Sequence, residues 1–147
     1  MLQLLQFAAT LSAALFAGAA LYINVAEHPA RMRGDISSAL AQWAISYSQA
    51  KLLQAPLAIV ASLASLAAWL FRAGTWWLVA GILIGAVVPF TLLVIMPTNQ
   101  KLLTTQREAV SSETQALLER WGRLHAVRTV LSLSATILML SQFCPAG

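Results

Sequence analysis

Four long apolar runs, separated by two polar connections and one short turn, set the plan of this chain. Residues 2–26, 52–71, 76–96 and 129–144 contain no Asp, Glu, Lys or Arg. A helix rises 1.5 Å per residue, so about 20 such residues cross the roughly 30 Å of bilayer hydrocarbon. Spans are therefore expected at about 2–28, 52–71, 76–96 and 121–144. The last begins ahead of its charge-free part because Leu117, Leu118, Trp121 and His125 already recur at helical spacing. The pattern predicts an all-α fold, a four-helix transmembrane bundle in a single domain, with helical extensions from the two long connections on one membrane face.

Local signals set the expected ends. Pro29 disfavours helix at His28 and should stop the first helix there. That first helix lacks the basic start of a signal peptide and is expected to be retained. Asp35 is placed to cap a helix on which Ile36, Leu40, Trp43 and Tyr47 recur, with Lys51 and Gln54 continuing the same side. Two readings fit this stripe: an amphipathic helix lying at the interface, or a helix that runs on into the second span and turns Trp43 and Tyr47 inward as a pocket wall. Pro56 should kink the second span, and residues 72–75 form a tight turn. Trp76 and Trp77 suit an interface, and Gly81 with Gly85 makes a small-residue face for close helix contact, within the bundle or with a second copy in a homo-oligomer. Pro89 interrupts the third span and frees a carbonyl one turn earlier, and Pro97 should end that span before Thr98 and Asn99. Ser112 and Gln115 have capping-box spacing at the start of a final helix of about 30 residues, roughly 45 Å and longer than the membrane is thick. No repeat or low-complexity tract is evident.

Composition agrees with this plan. Of 147 residues, 59% are hydrophobic and 10% charged, and the mean hydropathy is +0.75, too apolar for a soluble domain. The net charge of +4 comes from basic residues scattered near apolar ends rather than along one stripe, which fits lipid headgroups and argues against nucleic acid. Eight of the nine Lys and Arg lie in or beside the two long connections, Arg72 alone in the short turn. The positive-inside rule then places both long connections, Arg107 included as a solvated loop charge, in the cytoplasm and both termini outside. A multi-pass protein of a bacterial inner membrane is expected. A single cysteine, Cys144, leaves no intramolecular disulfide and no multi-cysteine metal site.

The same counting gathers polar residues at one membrane face. Asn24, Glu27 and His28 close the first helix, Lys51 opens the second, Asn99 follows the third, and Trp121, His125 and Arg128 share one face of the fourth. Ionisable groups at membrane depth cost several kcal/mol unless paired or hydrated, so they are functional candidates. The bland alternative is that Glu27 and Arg128 pair while the histidines cap polar ends.

Several of these residues fall in the order of a known family. Glu27-His28-Pro29, then Pro89-Phe90-Thr91, then Met96-Pro97-Thr98-Asn99 with Leu102-Leu103, and finally Trp121 with Leu124-His125 and Arg128 resemble the DUF1772 membrane domain, the anthrone-oxygenase-like family. The resemblance runs from Phe16 to about Leu140. It implies oxidation of an anthrone, or a related polyketide-like or quinol-like aromatic, to a quinone with dioxygen as co-substrate and no recognised cofactor. Such chemistry needs a base, oxyanion donors and flat apolar walls. His125, ranked ahead of His28, fits the base, with Glu27 orienting His28. Arg128 and Asn99 fit the donors. Trp43, Tyr47 and Trp121 fit the ring-binding walls, with Asn24 and Lys51 beside them. Two alternatives stay open: an oxidase in which His28 and His125 ligate copper, iron or haem, and a non-enzymatic subunit holding a lipid or quinone.

Overall fold

The computed structural model describes residues 1–105 and 111–144; Arg107, expected to be a solvated loop charge, lies outside them. The described residues form helices and turns with no strand. The first rod is α1 (Leu2–Tyr22), a widened π turn (Ile23–Glu27) and α2 (His28–Arg31); α3 (Ile36–Leu70) follows. The third rod is α4 (Thr75–Phe90), a second π turn (Thr91–Ile95) and α5 (Met96–Thr104), and α6 (Ser112–Ser141) closes the bundle. All four rods, of 30, 35, 30 and 30 residues, are long and apolar enough to cross a membrane. The chain is thus an all-α bundle of four membrane-crossing helices, each longer than the span expected of it.

Two expected helix stops are corrected. The first rod continues through Pro29 to Arg31, and the third continues through Pro97 to Thr104. A proline has no N–H to donate and its ring clashes with the carbonyl four residues back. Here the preceding turn widens instead of breaking: the N–H of His28 donates to the Ile23 carbonyl and that of Met96 to the Thr91 carbonyl, each five residues back. Each widened turn ends two residues before its proline, so the first and third rods share one device. In both, the second residue after the proline, Arg31 and Asn99, is buried.

The helix over Asp35 is continuous with the second span. Asp35 accepts from the backbone N–H groups of Ser37 and Ser38 at 3.0 and 2.9 Å, and α3 then runs through Pro56 without a break. The Ser38 hydroxyl and backbone, with the backbone of Ser37, hold the Asp35 carboxyl below the usual carboxylate range. Capping of α6 begins one residue earlier than expected, at Ser111, whose backbone N–H donates to Thr114 Oγ1 at 3.3 Å. Between α3 and α4, Gly74 sits at φ 109°, a conformation that favours glycine.

Packing changes character along the bundle. Away from the long connections, Ala9, Ala13, Ala58, Ala61, Ala80 and Ala135 are almost fully buried, so backbones approach closely. The hydroxyls of Ser62 and Ser65 donate to the carbonyls of Gly81 and Trp77 at 2.9 and 2.6 Å. The Gly81/Gly85 face meets α3 of the same chain: a Cβ on Gly85 would lie 2.6 Å from Ser62 Oγ. Toward the long connections, a second core forms around Trp43, Ile95, Leu118 and Trp121. A cavity lies where the two kinds of packing meet.

Candidate functional site

The cavity has a volume of about 190 Å³ and takes wall residues from all four rods. The first rod supplies Phe16, Ile23 and Arg31, and α6 supplies Trp121, His125 and Arg128. On α3, Tyr47, Lys51 and Gln54 fall on the stripe that begins at Trp43, so a helical period turns them to one side. The third rod adds Val87, Val88 and, from its π turn, Thr91 and Leu92.

Asn24, inside the first π turn, sets the chemistry of His125. Its amide nitrogen donates to the Gly122 carbonyl at 3.1 Å. A carbonyl only accepts, so the amide oxygen must be the atom that faces His125 Nδ1 at 2.8 Å and accepts from Thr129 Oγ1 at 2.5 Å. An amide oxygen also only accepts, so His125 Nδ1 carries the proton. A neutral ring then keeps its lone pair on Nε2, which has no partner among the described residues. His125 is buried and lines the cavity, and a neutral imidazole in this tautomer is chemically able to accept a proton.

The charged groups are unevenly paired. Glu27 accepts from the Arg31 guanidinium and, at 2.5 Å, from Ser46 Oγ on α3. Arg128 has an amide for a partner instead of a carboxylate: its Nη2 donates to Gln54 Oε1 at 2.8 Å. The guanidinium carbon stands 5.3 Å from the centre of the Phe16 ring, and the buried Nε has no partner among the described residues. Among the described residues, no acidic side chain lines the cavity. A guanidinium held at this depth without a counter-ion favours any anion formed beside it.

The aromatic residues form one connected set. Tyr47 stacks on Trp43 with ring centres 5.2 Å apart and planes 7° apart, and Trp43 meets Trp121 edge-on at 6.0 Å. The Lys51 ammonium lies 5.6 Å from the centre of the Tyr47 ring.

Of the residues singled out from the sequence, His125, Arg128, Trp121, Tyr47 and Lys51 line the cavity. Asn24, Glu27 and Trp43 stand behind it, contacting His125, Arg31 and Tyr47 respectively. His28 does not line it. Its ring packs on Trp121 at 5.2 Å, while His125 packs on Trp121 at 4.9 Å, and His28 borders a separate polar groove with Gln115, Glu119 and Arg123. A Cβ on Gly122 would come within 2.6 Å of the His28 ring, so glycine there is what admits the imidazole. His28 and His125 thus line different spaces, and no group of three His, Cys, Asp or Glu that could hold a metal occurs among the described residues. Asn99 is buried and lines no described cavity, and neither polar atom of its amide has a partner among the described residues.

Arg31, Gln54 and Ser46 were not singled out as site residues by sequence reasoning. Gln54 could have been found as the next member of the α3 stripe. Arg31 had a signal in its position four residues after Glu27.

A family model described as anthrone oxygenase matches residues 43–138. The chain belongs to the anthrone oxygenase family. The matched stretch holds the part of the cavity built from Tyr47, Lys51, Gln54, Trp121, His125 and Arg128, whereas Asn24, Glu27, His28 and Arg31 precede it. Among curated relatives, the chain is similar to anthrone oxygenase tpcL of Aspergillus fumigatus, with 37% identity over 68 residues. That match covers 44% of this chain and 42% of the relative, so the chain spans under half the relative's length. No solved structure matches.

Proposed function

We propose that this protein is a membrane-embedded oxygenase that converts an anthrone-like phenolic aromatic to the corresponding quinone with dioxygen, and that His125 is its base. The observation that carries this is the Asn24–His125 pair, which sets the tautomer of an imidazole that lines a cavity with aromatic and aliphatic walls. The name of the Aspergillus relative and the family match support the reaction class.

The chemistry balances without a further reductant. His125 Nε2 removes a proton from the ring methylene, and the electron pair delocalises into an enolate whose oxygen faces the Arg128 guanidinium. The enolate passes one electron to dioxygen, and the carbon radical and superoxide combine to a C–O bond, giving a peroxide anion that takes back the proton from His125. Loss of water across the O–O bond leaves the carbonyl, so one oxygen atom enters the product and the other leaves as water. Arg128 stabilises the enolate more than the neutral substrate, which is the differential binding that lowers a barrier. Trp121 and Tyr47 supply flat surface for the rings.

In the same reading the cavity lies toward the cytoplasmic face, supported by the bias of basic residues to the long connections. The test is turnover: purified protein given an anthrone should consume one dioxygen per quinone formed. Arg128→Ala should lower kcat/KM about 100-fold or more, in line with loss of one oxyanion donor. Equal turnover in wild-type and Arg128→Ala protein contradicts the assignment.

A further inference from the structure

We infer that the ligand enters the cavity sideways from the bilayer, through a mouth between α3 and the π turn of the third rod. The inference rests on the aromatic-substrate reading above and adds the phase from which the substrate comes.

Among the described residues that line the cavity, only Lys51, Ala55 and Leu92 are exposed, and all three lie on that seam. Phe16, Ile23 and Arg31 of the first rod are buried, as are Trp121 and His125 of α6. The seam is closed at its other end, where Ser62 and Ser65 bond to the carbonyls of Gly81 and Trp77. In the π turn, by contrast, the Thr91 hydroxyl returns to Val87 of its own helix at 2.7 Å and does not reach across to α3.

What flanks the mouth identifies the phase it meets. Leu52 and Leu53 on α3 and Leu93 on the third rod are 68%, 58% and 76% exposed. Apolar side chains this exposed on a membrane-crossing helix face lipid. Lys51 precedes Ala55 by one helical turn, about 6 Å along the axis. Its stem can therefore reach the headgroups while the opening stays in hydrocarbon. The polar groove lined by Gln115, Glu119 and Arg123 is the rival route, but it shares no lining residue with the cavity.

The experiment uses the full chain in phospholipid vesicles and 1,8-dihydroxyanthraquinone, a flat neutral probe, its binding followed by visible absorbance in rapid mixing. Leu92→Trp and Ala55→Trp should slow association about tenfold, whereas Glu119→Trp in the polar groove should leave it unchanged. Leu92→Ala, which widens the mouth and is unlike a bulky change in folding risk, should bind at least as fast as wild type. Rates that fall with Glu119→Trp and not with Leu92→Trp overturn the lateral route while leaving the oxygenase reading in place. A wild-type protein that turns over an anthrone yet ignores all mouth substitutions does the same. Absence of any probe binding by folded wild-type protein overturns the aromatic reading together with the route.

Discussion

Asn24 lies 101 positions before the histidine it orients, and no local pattern links the two. His125 and Arg128 were legible because they share one stripe of an apolar helix, where charge needs a reason. Asn24 and Thr129 were harder to assign: their partnership exists only once the first rod lies against α6. The tautomer argument gives a residue-scale prediction. Asn24→Ala should reduce kcat more than it raises KM, and nitrogen NMR of labelled histidine should show His125 losing its preference for the Nδ1–H form; an unchanged spectrum would contradict the positioning role. A second prediction concerns Gly122, whose added Cβ would clash with the His28 ring. Gly122→Ala should cost about 1–3 kcal/mol as overpacking, checked by thermal unfolding in detergent, while Gly122→Ala with His28→Ala should recover most of the loss. His28 was grouped with His125 because both sit at helix ends on one membrane face; both rings pack on Trp121, and they line different spaces.

At the scale of elements, the four helices and the Asp35 cap were readable because apolar length and capping chemistry are local. The helix stops at Pro29 and Pro97 were misplaced for a physical reason. A proline conflicts with a regular α-turn, and a five-residue hydrogen-bonded turn ahead of it removes the conflict without ending the helix. Such a turn carries one extra residue, and one residue rotates a helix by about 100°. Deleting Val25, which is 69% exposed, should therefore turn the two sides of the first rod out of register. The protein should still insert, but the Asn24–His125 and Glu27–Ser46 links cannot both survive, and turnover should be lost; retention of full activity would show that the widened turn is incidental. The Asp35 cap has a pH signature. Its folded pKa is depressed, so its contribution is present above the unfolded carboxylate pKa of about 3.9 and disappears as pH falls through the lower folded value. Asp35→Ala should lower the melting temperature at neutral pH, with the gap to wild type closing in strong acid.

For the whole molecule, tight alanine and glycine packing at one end holds the helices together, and aromatic and charged residues at the other end leave room between them. That division was only partly visible beforehand. The cluster of polar residues at one face followed from counting, whereas the cavity's position at the junction depended on α3 running unbroken from Ile36 and carrying Tyr47, Lys51 and Gln54 into the wall. Orientation is checked by labelling: Cys144 is exposed at the end opposite the long connections, and a membrane-impermeant maleimide should reach it from outside but reach Arg33→Cys, in a Cys144→Ser background, only from the cytoplasmic side.

The central claim, that His125 is a base facing a cavity built for a flat aromatic, is tested most directly by dioxygen uptake with an anthrone substrate in wild-type and His125→Ala protein of matched thermal stability. The account predicts a fall in kcat of about 100-fold or more on losing the base. Uptake by His125→Ala equal to wild type, at the same one-to-one ratio of dioxygen to quinone, would contradict it.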